Sequence, residues 1–137
     1  MKKKLKFLIF LSNFYPKITG GLLHGAVDQI NKLKHSFEIV KVNGSLEIPI
    51  KIALVLDKKK YDAIIAIGCI IKGKTDHYEI IANAITNKLL TLSVEYKIPI
   101  LNAILTCANI RQALSRSSKK RNRAKEAVLA AISVLEN

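Results

Sequence analysis

Tryptophan is absent, methionine occurs once, and only 6% of the residues are aromatic. Such scarcity argues against a surface that stacks single-stranded bases on an aromatic platform. The 2 cysteines, Cys69 and Cys107, have no metal-binding or redox spacing, so two reduced thiols are expected. No apolar segment approaches the ~20 residues of a membrane span. The start, Met1-Lys-Lys-Lys-Leu-Lys-Phe-Leu-Ile-Phe-Leu, imitates a secretory leader. Its uninterrupted apolar run covers only Phe7 to Leu11, however, and Ser12-Asn13-Phe14-Tyr15-Pro16 follows without a small-residue cleavage pattern. The expectation is a soluble, cytoplasmic protein. Acidic residues are also few, 10 against 23 Lys+Arg, giving a formal charge of +13. That excess fits a nucleic-acid binder, a site for anionic substrates or a solvated lysine-rich surface. The scattered lysines favour the latter two.

What is present is core-forming material. Half of the 137 residues are hydrophobic, enough for one packed domain over 1–137, and no linker or internal repeat divides it. Four short apolar runs, Leu5–Leu11, Phe37–Val42, Ala63–Ile67 and Ile98–Ile104, alternate with stretches of helical period. Ile18, Leu22, Ala26, Ile30 and Leu33 keep that period, as do Ile48, Ile52, Val55 and Leu56, with Pro49 tolerable in a first turn. Asp76 and Glu79 suit the start of a third helix through Ile81, Ile85, Leu89, Leu92 and Tyr96, which Pro99 ends. A short helix near Asn109–Ser115 and a longer one near Arg121–Leu135 complete the chain. The alternation predicts an α/β fold with a parallel sheet covered by helices.

Ligands of such sheets bind beyond the carboxyl ends of the strands. Phe14, Leu46-Glu47, Lys72–His77 and Thr106 are expected along that rim. One segment there is ambiguous, because Gly68, Gly73, Lys74 and Thr75 satisfy the spacing of a nucleotide phosphate loop. Such a loop curls its amides around phosphate, whereas Cys69-Ile70-Ile71-Lys72 suits extended backbone. The fourth run also leads into Leu105-Thr106-Cys107 rather than a metal-binding Asp. Gly73, Thr75 and the amides opening the next helix suit a simpler anion site, or merely a turn and a helix cap. His77 reads as a surface residue or as a proton shuttle beside such a site. Arg116 is a solvated helix-end arginine or a two-pronged phosphate clamp. Glu47 favours a helix N-terminus or accepts hydrogen bonds from a polyol, and Phe14 is a loop aromatic or a stacking surface. His24 and His35 lie away from the rim and receive no role.

Several separated segments resemble the lumazine synthase family of riboflavin biosynthesis, over almost the whole chain. Phe14 to Ala26 is similar to that family's first strand end and helix, and Gly44-Ser45-Leu46-Glu47-Ile48-Pro49 to its Gly-Ala-Phe-Glu-Ile-Pro. Tyr61 to Gly68 and Ile70-Ile71-Lys72-Gly73-Lys74-Thr75-Asp76-His77-Tyr78 follow its most distinctive stretch. Leu105-Thr106, Gln112-Ala113 and Arg116 resemble its fourth-strand segment and phosphate arginine, and Glu126-Ala127 its last helix.

The resemblance implies a flavodoxin-like three-layer sandwich with a four-stranded parallel sheet. It also implies condensation of 5-amino-6-(D-ribitylamino)uracil with L-3,4-dihydroxy-2-butanone 4-phosphate to 6,7-dimethyl-8-ribityllumazine, releasing phosphate and water. No metal or redox cofactor is implied. Phe14 would stack on the pyrimidine, Glu47 and backbone near Leu46 would hold the ribityl chain, and Ile70 and Ile71 would line the site. Gly73, Lys74, Thr75 and Arg116 would surround the phosphate while His77 moves protons. Leu46 stands in place of the family's phenylalanine and Asn43 in place of its proline. Asn102 would offer backbone to the pyrimidine. Asn122-Arg123-Ala124 replaces Asn-Lys-Gly, leaving Arg123 as the positive charge and Ala124 where glycine is usual. The family's sites form between subunits of a pentamer, with Arg116 and Arg123 from the neighbouring copy, and some members close pentamers into a shell. Ser117–Arg121 lacks the glycine of shell-formers, so a pentamer is expected. The alternative is a non-catalytic lumazine- or flavin-binding protein of the same fold; a nucleic-acid module rests on the charge alone.

Overall fold

Strands and helices alternate along the chain in the computed structural model, which describes residues 3–56, 60–73 and 77–136. The order is β1 (Lys6–Ser12), α1 (Pro16–Lys32), β2 (Ser36–Val42), α2 (Glu47–Leu56) and β3 (Ala63–Ile71). Then come α3 (His77–Tyr96), β4 (Ile100–Cys107), α4 (Ile110–Arg116) and α5 (Arg123–Leu135). The sheet is four-stranded in the order β2-β1-β3-β4, and every pairing is parallel. The expected flavodoxin-like α/β sandwich is therefore present.

Period-2 alternation within continuous apolar strands builds both faces. Phe7, Ile9 and Leu11 point with Ile65 and Ile67 into a core completed by Ile18, Leu22 and Ile30 of α1 and Ala127 and Val128 of α5. Leu8, Phe10, Ile64 and Ala66 point the other way, against Ile48 and Ile52 of α2 and Ile85 and Leu89 of α3. A parallel strand buried on both sides must be apolar throughout, which is why the strand signals are runs rather than alternations. Each fully covered Leu, Ile or Phe contributes about 2 kcal/mol of transfer free energy.

β1 and β2 match their predicted limits to within one residue, and the other two strands differ by more. β3 continues four residues past Ile67, to Ile71, because β4 extends far enough to pair with it through Ile71 and Cys107. β4 starts at Ile100, after Pro99, and includes Thr106, which therefore lies inside the strand. Asp76, the expected N-cap of the third helix, lies outside the described residues; α3 is seen from His77 onward.

The tail is locked by Asn122. Its Oδ1 accepts hydrogen bonds from the backbone N–H groups of Ala124 and Lys125 at 3.0 and 3.1 Å, capping α5. Its Nδ2 donates to the Gly21 carbonyl at 2.9 Å, tying that cap to α1. Ala124 is fully buried in the first turn of α5, so the glycine expected there is not needed for the helix to begin. His35 is likewise architectural, its Nδ1 accepting from the Leu5 N–H at 2.9 Å.

Replacing Asn122 by Ala removes the cap and its tie to the Gly21 carbonyl; a loss of about 2 kcal/mol in urea unfolding is expected. A second expectation concerns alkaline pH. Burial, then the neighbouring Cys107, pushes the Cys69 thiol up to about 12. Burial, then the Glu38 carboxylate that accepts the Tyr61 hydroxyl at 2.9 Å, pushes Tyr61 up to about 12. In the unfolded chain these groups ionise near their ordinary values of about 8.5 and 10. The unfolded state therefore loses protons first as pH rises, so stability is whole below about pH 8.5 and falls toward pH 12. Urea midpoints across that range should decline, and Cys69→Val with Tyr61→Phe should flatten the decline.

Candidate functional site at the carboxyl end of the sheet

The rim begins where β1 ends. The Asn13 N–H donates to the Val42 carbonyl at 3.0 Å, holding the ends of β1 and β2 together. Tyr15 then takes a left-handed conformation with φ 54°, at a cost of about 1 kcal/mol for a residue with a side chain. Pro16 follows in the first turn of α1, so the chain reverses at once and leaves the Phe14 ring outside, 63% exposed. An exposed phenylalanine held by a built turn is not an ordinary core aromatic.

Phe14 and Glu47 meet over Gly44. A Cβ at residue 44 would lie 2.9 Å from Glu47 Oε1 and 3.4 Å from two Phe14 ring carbons. A side chain there would push the Glu47 carboxylate aside, and the glycine lets that carboxylate and the aromatic ring approach the same backbone. Glu47 opens α2, and its N–H donates to the Gly44 carbonyl at 3.2 Å. Leu46 is exposed beside them. Gly44 received no role from its spacing; the signal for it is a small residue directly ahead of a helix-opening Glu.

Gly68 lies in β3, opposite Ile104, and no glycine in the described chain has positive φ. Cys69, Ile70 and Ile71 continue in register with Leu105, Thr106 and Cys107. The first part of the nucleotide-loop pattern, from Gly68 to Ile71, is therefore extended strand. Gly68 is needed because a Cβ would meet Ser45 Oγ at 2.5 Å. That hydroxyl is the buried side-chain polar atom without a hydrogen-bond partner among the described residues.

Beyond β3 the Lys72 N–H donates to the Cys107 carbonyl at 2.9 Å, and Lys72 Nζ stands 5.9 Å from the Tyr78 ring centroid. Gly73 is exposed, with open space where a Cβ would go. Lys74 and Thr75, the expected phosphate contacts, lie outside the described residues. His77 is exposed in the first turn of α3. Ile70 and Ile71 are half-buried at the end of β3. Asn102 is half-buried within β4 and its side chain is occupied: Nδ2 donates to Thr86 Oγ1 at 3.1 Å and Oδ1 accepts from the Ile104 N–H at 2.9 Å.

The arginines stand apart from this group. Arg116 ends α4 and its Nη1 donates to Cys107 Sγ at 3.5 Å. Arg123 opens α5, its Nε 3.7 Å from Glu126 on the surface. Glu47 follows edge strand β2 and Arg116 follows β4, the opposite edge, three strand spacings or about 14 Å away. They also belong to different faces, since Glu47 opens α2 while Cys107 packs with α1, α4 and α5. One chain thus carries an aromatic–carboxylate half and an arginine half that do not meet.

Among the described residues, no group of three or more His, Cys, Asp or Glu is placed to hold a metal ion. No helix among them is long and apolar enough to cross a membrane. A hollow of about 610 Å³ lined by Lys3, Tyr61 and Lys97 involves the opposite, amino end of the strands rather than these residues.

An open parallel sheet in the order β2-β1-β3-β4, with an exposed aromatic ring, a carboxylate and a histidine at the carboxyl ends of its strands, defines a flavodoxin-like α/β protein. Residues 4–137 match the family model described as 6,7-dimethyl-8-ribityllumazine synthase. A protein of that name from Buchnera aphidicola subsp. Schizaphis graminum (strain Sg) is 41% identical over 138 residues, covering 97% of this chain and 87% of its own length. Another, from Bartonella tribocorum (strain CIP 105476 / IBS 506), is 42% identical over 120 residues, covering 87% of this chain and 80% of its own length. A third, from Nitrobacter hamburgensis (strain DSM 10229 / NCIMB 13809 / X14), is 37% identical over 134 residues, covering 93% and 82%. The chain belongs to the 6,7-dimethyl-8-ribityllumazine synthase family.

The close packing of Gly68 on Ser45 is directly testable. Gly68→Ala should cost about 2 kcal/mol through overpacking, and adding Ser45→Ala should recover most of it. Equal losses in single and double variants, read from urea unfolding, would contradict this packing.

Proposed function

We propose that this chain is a transferase condensing 5-amino-6-(D-ribitylamino)uracil with L-3,4-dihydroxy-2-butanone 4-phosphate to give 6,7-dimethyl-8-ribityllumazine, phosphate and water. Family membership supports the reaction, and the meeting of the Phe14 ring with the Glu47 carboxylate over Gly44 is the observation that carries it. The ring is a stacking surface for the pyrimidine. The adjacent carboxylate accepts hydrogen bonds from ribityl hydroxyls, beside backbone of Leu46. Ile70 and Ile71 wall the site, and Asn102 offers backbone, its side chain being engaged elsewhere.

Gly73, Lys74, Thr75 and Arg116 receive the phosphate, with Arg123 adding positive charge. His77 moves protons during imine formation, phosphate elimination and ring closure. The amine and the ketone are reactive in themselves, so holding them together supplies much of the acceleration. Acid–base help adds about 10²-fold.

The reading takes 1–137 as one domain working in the cytoplasm as a homopentamer, alone or within a pentamer-based shell. Two features support a second copy. The aromatic–carboxylate and arginine halves lie on opposite edges of one sheet. Leu46, just ahead of α2, and Ile50 and Leu54 within it also leave an exposed apolar stripe at four-residue spacing, with Leu90 and Val94 exposed on α3. A neighbour covering α2 and α3 would bring its own Arg116 toward Phe14 and His77. Nucleic acid has no part in this reading.

Mixing the native oligomer with both substrates should yield the fluorescent lumazine. Tight riboflavin binding without product would sink the activity and favour a carrier. Arg116→Ala should raise the KM for the butanone phosphate by about 10- to 100-fold, with little change for the pyrimidine. His77→Ala should lower kcat by about 10²-fold without abolishing it.

A further inference from the structure

Arg116 is positioned in an unusual way for a cation meant to grip an anion. It is half-buried at the end of α4, yet among the described residues no carboxylate pairs with it. Its polar partner there is the Cys107 sulfur, 3.5 Å from Nη1. Cys107 is itself 1% exposed, at the last position of β4, in the same apolar cluster as Ala113 of α4. Backbone fixes it further, because its carbonyl accepts the Lys72 N–H at 2.9 Å, immediately ahead of Gly73. Cys107 is thus held by its strand pairing while its side chain touches the arginine.

From this geometry we infer that Cys107 is a positioning residue for substrate phosphate, orienting the Arg116 guanidinium through its thiol without neutralising it. The inference rests on the reading of Arg116 as the phosphate arginine. A carboxylate in place of the thiol would hold the guanidinium more strongly, but would occupy a two-pronged face and cancel its charge. A thiol sulfur is a weak acceptor that takes one N–H. The remaining donors and the positive charge stay available for phosphate oxygens. Burial of Cys107 within β4 makes its sulfur a fixed point, so the cost of ordering the long arginine side chain is met before substrate arrives. Cys107 touches neither substrate and is not a catalytic residue.

The test compares Cys107→Val, which keeps apolar bulk and removes the acceptor, with Cys107→Ser, which keeps an acceptor, both as assembled enzyme. Cys107→Val should raise the KM for the butanone phosphate and the inhibition constant of inorganic phosphate by about fivefold, the weight of one weak hydrogen bond. The KM for the pyrimidine should stay unchanged, and Cys107→Ser should restore phosphate affinity to within about twofold. In an Arg116→Ala background, Cys107→Val should have no further effect on phosphate affinity. If both KM values move together with Tm, Cys107 only fills the core and the inference fails. If Arg116→Ala weakens phosphate binding while Cys107→Val does not, positioning fails and the phosphate site stands. If Arg116→Ala itself leaves phosphate affinity unchanged, the reading of the site fails and takes the inference with it.

Discussion

Everything in this molecule follows from a parallel sheet whose central strands, β1 and β3, are covered on both faces. Phe7 to Phe10 and Ala63 to Ile67 are wholly withdrawn from solvent. Helices must therefore cross over each face, and no side chain on those faces is free for chemistry. Polar work is displaced to the ends of the strands. At the carboxyl end the chain leaves each strand toward the start of a helix, where short turns can present a ring, a carboxylate and a histidine.

The same constraint separates the site. Strand order β2-β1-β3-β4 sends Glu47 and Arg116 to opposite edges, and the alternation of faces sends them to opposite layers. Apolar stripes left uncovered on α2 and α3 stand on the layer that bears Glu47 and His77. Under the proposed assembly, site completion and association would be one event, with apolar contact supplying the free energy and a neighbour's arginine the charge.

The local placement of several residues was readable from the chain, while their roles came only from the family resemblance. Phe14 precedes Tyr15-Pro16, Glu47 opens a helix after a small residue, and Arg116 closes a short helix. Others were opaque because their meaning depends on partners distant in sequence. Gly68 looked like part of a phosphate loop, yet it is small so that Ser45 can lie against it. Ala124 looked like a defect, yet Asn122 starts the helix without a glycine and reaches across to Gly21. Cys107 carried no signal at all until its sulfur was found beside Arg116.

Apolar period and turn chemistry, both properties of neighbours along the chain, determined the strands, the helices and their parallel arrangement. The resemblance of several separated segments, in order along the chain, pointed to the family. Only the tertiary structure decided that Gly68–Ile71 is strand, that Phe14 and Glu47 meet over Gly44, and that Arg116 rests on sulfur at the far edge. Those outcomes depend on register and strand order, where residues far apart in sequence compete for the same few ångströms, and no local pattern encodes which of them will arrive there.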